Sequence, residues 1–182
     1  MRQFLKHIGT LLLVLLAVSG CATKNKVTQD FKPGTDFRSY KTFNWHNFSS
    51  DISTNNQIVI QREVEQQLSQ QGFQLVPATG AADLVLDLTI IKQLASASNT
   101  GVGLSIGLPI GRSGSIGLGT SKLLGNDEKY AALIILDITA QASNQVLWRG
   151  SAEDVPLDHF LLRNETKLNG VLANLIKQFP PK

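Results

Sequence analysis

Ala82-Asp83-Leu84-Val85-Leu86-Asp87-Leu88-Thr89-Ile90-Ile91-Lys92-Gln93-Leu94 is the stretch on which the fold turns. In an extended chain Leu84, Leu86, Leu88 and Ile90 point one way, and Val85, Asp87, Thr89 and Ile91 the other. The first set is wholly apolar and the second only partly so. That pattern predicts a strand covered by another layer on one side. Tyr130 to Ala142 repeats it, with Leu133, Ile135 and Asp137 alternating with Ile134, Leu136 and Ile138. Asn144 reads as a turn, and Gln145 to Ala152 as the returning strand of a hairpin that carries Leu147, Trp148 and Arg149.

Working outward, Val27 to Asp30 reads as a first strand and Pro33-Gly34 as a turn. Phe37 to Trp45 is aromatic and β-branched, which favours a strand. Asn47 to Asn55 is polar and loop-like. Asn55 or Asn56 can cap a helix in which Ile60, Val64 and Leu68 recur every four residues, with Arg62, Glu63, Glu65 and Gln66 between them. Gly72 suits its C-terminus. Phe73 to Val76 reads as a short strand, closed by Pro77 to Gly80. A second helix is expected near the end, where Leu161, Leu168, Leu172, Leu175 and Phe179 share one face. Asp158 is placed to cap it and Pro180-Pro181 to end it. The expected fold is α+β: a mainly antiparallel sheet with two amphipathic helices on one face and a glycine-rich β-hairpin.

The N-terminus sets the address. Met1, Arg2 and Lys6 begin a short basic stretch, and an apolar, leucine-rich run follows from Ile8 to Val18. A spanning helix needs roughly 20 apolar residues, and this run is about half that, the length of a signal-peptide core. It ends in Val18-Ser19-Gly20-Cys21, which resembles the bacterial lipobox. The expectation is cleavage between Gly20 and Cys21, with lipid (palmitate among its acyl chains) on Cys21. Cys21 is the only cysteine, so neither an intramolecular disulfide nor a cysteine metal cluster can form. Residues 1–20 then read as signal peptide, 21–26 as lipidated tether and 27–182 as one domain. By the enterobacterial sorting rule, Ala22 suggests the inner leaflet of the outer membrane, facing the periplasm.

The whole chain carries 17 basic and 14 acidic residues, a formal +3. Removal of Arg2 and Lys6 leaves 15 against 14, a formal +1. No basic stripe remains to suggest nucleic acid. Lys24 and Lys26 lie just after the expected lipid site and read first as solvated tether residues, with contact to anionic headgroups as the alternative.

Gly101 to Gly119 is the oddest segment. Val102, Leu104, Ile106, Leu108 and Ile110 alternate with small residues, and Ile116 and Leu118 resume the pattern after Arg112-Ser113-Gly114. Period two with a turn near Ser113-Gly114 predicts a hairpin. A phosphate loop needs a lysine directly after its last glycine, but Gly119 is followed by Thr120 and Ser121. The dinucleotide pattern also fails at Ile106. Three readings stay open: a ribbon whose aliphatic face packs on the domain, a protruding ribbon that meets an envelope protein partner or the membrane, or a disordered segment.

Catalytic constellations are sparse. His46 and His159 belong to no metal-ligand spacing. Ser96, Ser98, Ser105, Ser113 and Ser115 form no Gly-x-Ser-x-Gly elbow. Asp83 and Asp87, on one strand, would stand about 13 Å apart, beyond the roughly 5–9.5 Å of paired glycosidase carboxylates. Asp137 lies in an apolar strand where a charge needs a partner, and Arg149 on the neighbouring strand is placed to form a structural ion pair. Trp45 and Trp148 could stack on a sugar, although aromatics on strands more often fill a core.

Several stretches together resemble the DUF4136 lipoproteins. Tyr40-Lys41-Thr42-Phe43-Asn44-Trp45 is similar to their early Tyr-x-Thr-Phe-x-Trp signature. An amphipathic helix ending near Gly72-Phe73 follows, then Ala82-Asp83-Leu84-Val85-Leu86, a glycine-rich hairpin, and a strand pair ending in Val146-Leu147-Trp148-Arg149-Gly150-Ser151-Ala152. Many relatives place aromatics among the hairpin glycines, where this chain has aliphatics. The resemblance implies an envelope lipoprotein and carries no activity, cofactor or catalytic residue. The expectation is a non-enzymatic binding or scaffold module without metal or nucleotide. The alternatives are a carrier of a small apolar ligand or glycan fragment, and an envelope hydrolase that would gather Asp87, Asp137 or His159 in one cleft.

Overall fold

A computed structural model describes residues 26–52, 56–77, 80–95 and 129–181, and describes residues 103–110 and 114–121 as backbone only. The elements are β1 (Lys26–Phe31), β2 (Thr42–Ser50), α1 (Gln57–Gln70), β3 (Gln74–Leu75), β4 (Leu84–Leu94), β5 (Gly103–Ile110), β6 (Gly114–Ser121), β7 (Tyr130–Ala140), β8 (Gln145–Pro156) and α2 (Glu165–Ile176). Six strands form one sheet in the order β1-β8-β7-β4-β2-β3.

The sheet is mixed, not mainly antiparallel. β1, β8, β7 and β4 pair antiparallel in turn, but β2 runs parallel to both β4 and β3. The cause lies in the connection. From Ser50 the chain returns along α1 before it re-enters the sheet, and a helical crossover of this kind joins parallel strands.

β2 runs on through Asn47 to Ser50, a stretch whose polarity predicts a loop, because its backbone pairs with Asp87 to Ile90 of β4. Phe37–Ser39 is a 3-10 turn rather than strand, with Asp36 accepting from the Arg38 backbone N–H. α2 begins at Glu165, later than Asp158, after two short 3-10 turns. Leu161 falls outside its buried face and is exposed. Asn56 precedes α1 but makes no side-chain cap; its Nδ2 donates to the Phe160 carbonyl at 2.8 Å. Gly72 closes α1 at φ +92°, a left-handed conformation that glycine adopts without strain.

The core lies between one face of the sheet and the two helices. Leu84, Leu86, Leu88 and Ile90 meet Ile134, Leu136 and Ile138 across the β4–β7 register, and Ile60, Val64 and Leu68 of α1 with Leu168, Leu172 and Leu175 of α2 close over them. Phe179 anchors one end of this core, with its ring centroid 5.2–5.4 Å from those of Phe37, Phe73 and Trp148.

The helices run the same way. Asn56, before α1, bonds Phe160, before α2, and Gln71, after α1, donates to the Ile176 carbonyl at 3.0 Å. The molecule therefore has two distinct ends. At one, the near end, lie the helix N-termini, Lys26, Ser50, Leu94, Tyr130 and Pro156. At the far end lie the helix C-termini, β3 and the β7–β8 turn.

β5 and β6 pair antiparallel as a separate two-stranded sheet. The side chains of Leu104, Ile106, Leu108, Ile110, Ile116 and Leu118, and all of Val102, lie outside the described residues, as do Gly20 and Cys21. Among the described residues no helix is long and apolar enough to cross a membrane.

Candidate functional site

The sheet face opposite the helices carries an ordered row of charge. Asp87 of β4 stands opposite Asp137 of β7, Asp137 opposite Arg149 of β8, and Arg149 opposite Asp30 of β1. Two carboxylates directly opposed on neighbouring strands repel each other. Here each has its own partner. Arg149 directs Nε to Oδ1 of Asp137 and Nη2 to Oδ2, the two-pronged arrangement that suits a guanidinium and a carboxylate. Both side chains are largely buried, at 11% and 17% exposure. Asp87 Oδ1 lies 2.7 Å from His46 Nδ1.

A β-bulge brings His46 there. The β2–β4 register steps from Trp45–Leu86 to Asn47–Asp87, so His46 is the extra residue. Bulges re-aim side chains in this way. Hydroxyls extend the polar face: Thr28 Oγ1 lies 2.7 Å from Ser151 Oγ. Arg149 Nη1 is buried and without a hydrogen-bond partner among the described residues.

The other expected positions scatter. Asp83 lies just before β4 and clamps the start of β2, with its Oδ2 accepting from the Lys41 and Thr42 backbone N–H groups at 2.7 and 2.9 Å. Those two bonds hold its carboxyl below the usual 3.8. His159 lies on the turn after β8, past the Ala131–Pro156 pairing, and so about 20 Å along the strands from Asp137. Burial pushes its pKa below 6.5, with Lys167 adding to the shift and Asp158 opposing it. Asp87 and Asp137 therefore meet, and His159 does not join them.

Trp148 is fully buried and donates from Nε1 to Gln29 at 2.9 Å, so its ring is no sugar platform. Trp45 donates to Glu65 at 2.7 Å. No group of three metal-ligating side chains occurs among the described residues. Among the described residues, clefts adjoin Pro180 on two sides. One of about 140 Å³ is bounded by Phe37, Tyr40, Phe73 and Pro180. The other, of about 330 Å³, is bounded by Gln29, Phe31, Lys177 and Pro181.

The family model of the domain of unknown function DUF4136 matches residues 27–181. The chain belongs to the DUF4136 family. Among solved structures, this DUF4136 protein is similar to a DUF4136 family protein from Bacteroides thetaiotaomicron. The TM-score is 0.55 at 12% identity, over 87% of this chain and 97% of that one. It is also similar to a PDZ domain protein from Parabacteroides distasonis, with a TM-score of 0.54 at 18% identity over 87% of this chain. The match spans 36% of that longer protein. The PelC dodecamer from Paraburkholderia phytofirmans matches at TM-score 0.49 and 11% identity, over 84% of this chain and 95% of that one. At 12% and 18% identity the first two likenesses speak to the fold alone. No curated protein matches the chain.

Proposed function

We propose that this DUF4136 protein is a non-catalytic binding or scaffold module of the bacterial envelope, held on the inner leaflet of the outer membrane by lipid on Cys21. The observation that carries the reading is the lipobox Val18-Ser19-Gly20-Cys21, placed five residues before the first strand at Lys26. A folded domain that begins so soon after its lipid site is what a short-tethered lipoprotein requires. The binding role is supported by the unequal sheet faces. One is sealed by two helices, while the other sets the paired charges of Asp87, Asp137 and Arg149 and the hydroxyls of Thr28 and Ser151 beside buried Leu133 and Ile135. The glycine-rich ribbon adds a second contact surface.

The test is intact mass with membrane fractionation of wild type and Cys21→Ala. The reading expects a mature protein that starts at acylated Cys21 in the outer membrane, and loss of processing in the variant. A wild-type chain that is unprocessed and unlipidated overturns it. Crosslinked pull-downs with and without residues 101–119 then test the binding role.

A carrier of a small ligand is the second reading, favoured by the 330 Å³ cleft beside Phe31 and Lys177. That volume sits at the lower bound of ligand pockets. Native mass spectrometry that finds bound lipid or glycan would support it over the scaffold.

A further inference from the structure

Among the described residues six large apolar side chains are exposed, and four of them sit at the near end: Ile58 at 69%, Leu162 at 61%, Tyr130 at 44% and Leu161 at 41%. Different elements bring them there. Ile58 is in the first turn of α1. Leu161 and Leu162 follow the Phe160 carbonyl that Asn56 holds, so they lie beside that turn. Tyr130 opens β7, with the Lys92 ammonium 4.7 Å from its ring centroid. Lys129 and Arg163 are exposed at the same end, together with Asp51 and Asp158, the latter 3.8 Å from Lys167.

Isolated exposed leucines need no explanation. A cluster drawn from three separate segments, with a tyrosine and cations at its margin, has the composition of a membrane-water interface. The chain also delivers this end to a bilayer. Lys26 starts β1 opposite Glu153, three residues short of the β8 terminus. Cys21 and Lys26 are five positions apart in the sequence, a length that can span at most about 18 Å. The far end of β8, at Gln145, is eight residues from Glu153, or about 27 Å along the strand. A lipid on Cys21 therefore cannot let the domain stand on its far end. It could still lie on its side, and the apolar cluster selects between lying and standing.

We propose that the near end is a bilayer-contact surface. Ile58, Leu161 and Leu162 enter the acyl-headgroup boundary, and Tyr130 with Lys92 lies at headgroup level. The inference rests on the lipid-anchor reading, and the experiment separates the two. The full chain is expressed in a host with an outer membrane, and intact mass reads the state of Cys21. The acylated product is placed on vesicles of phosphatidylethanolamine and phosphatidylglycerol. If Cys21 carries no lipid, the same protein is coupled through this sole cysteine to a maleimide lipid in those vesicles, so the contact surface is tested in either case.

Amide hydrogen exchange is then compared with the protein in solution. The first amides of α1, at Gln57 to Val59, have no intrahelical acceptor and exchange rapidly unless covered. The expected result is several-fold slower exchange at 57–59 and 161–163, with the far-end turn at 141–144 unchanged. Ile58→Asn with Leu162→Asn, both at exposed positions, should restore fast exchange at the near end without lowering the thermal midpoint. Equal exchange on and off the vesicles at 57–59 and 161–163 overturns the proposal. So does protection confined to the far end or to one flank of the sheet.

Discussion

Gly150→Ala is the most searching single substitution. Gly150 lies on the helix-covered face of β8, two residues from Trp148, and the Trp148 indole occupies the space a side chain at 150 would fill. A Cβ built there would stand 2.2 Å from Trp148 Cη2 and 2.8 Å from Leu175 Cδ1. Neither neighbour can yield cheaply. Trp148 and Leu175 are fully buried. Trp148 Nε1 is held by Gln29, and its ring packs 5.4 Å from Phe179. Displacing the indole forfeits a hydrogen bond of about 1 kcal/mol and an aromatic contact of about 1 kcal/mol. Overpacking adds about 1–3 kcal/mol. A loss of about 4 kcal/mol is expected, which is about 8–16 °C in Tm for a domain of this size. Urea unfolding should show a lower midpoint at unchanged slope. In a Trp148→Leu background the added methyl should cost less than about 1.5 kcal/mol, because the two sites couple through the indole. A Gly150→Ala variant within 0.5 kcal/mol of wild type, or an equal cost in both backgrounds, would refute the reasoning.

Further perturbations probe other layers by the same unfolding assay. Phe179→Ala removes the ring on which Phe37, Phe73 and Trp148 converge, and should cost about 3–5 kcal/mol. Arg149→Met or Asp137→Leu alone strands a mostly buried charge and should cost about 3–5 kcal/mol, whereas the double variant should be more stable than either single one. Asp83, with a lowered pKa, binds fewer protons folded than unfolded. Its contribution is therefore complete above about pH 4 and fades as pH falls through the lowered value. Stability against pH for Asp83→Asn should converge on wild type in acid. His159 is also depressed, and as a base it favours the folded state in its neutral form. Stability should fall as pH drops below about 6.5, and His159→Gln should flatten that limb.

Periodicity carries furthest where burial is one-sided. β4 alternates from Leu84 to Ile91 because the helices seal one of its faces while the other stays partly exposed, and Ile60, Val64 and Leu68 mark the buried stripe of α1 for the same reason. β7 is harder to read. Its residues from Ala131 to Leu136 are buried on both faces, so its alternation is one of size rather than polarity. The polar run Asn47 to Ser50 conceals a strand because its outward side chains face water while its backbone completes a ladder with β4. Composition reports side-chain environment and says little about where a backbone finds its hydrogen bonds. Asp158 looks like a helix cap in the sequence, yet the chain spends two 3-10 turns before α2 begins, and Asn164 Nδ2 donates to the Asp158 carbonyl instead.

Strand direction decides what shares a site, and direction is the property least visible in a linear pattern. Asp87 and Asp137 are 50 residues apart and meet through an antiparallel register. His46 reaches Asp87 through a bulge that no residue type announces. The parallel course of β2 and β4 matters most. It puts Ser50 level with Ile90, so α1 starts at the end where β4 finishes, β7 begins and β1 begins. Had β2 run antiparallel to β4, Ser50 would lie at the opposite end of the sheet. Ile58 would then stand roughly a strand length, about 30 Å, from Tyr130 and Lys26. The exposed apolar residues would be scattered over two ends. The crossover that makes the sheet mixed is thus the feature that gathers these exposed apolar side chains at the end where β1 begins.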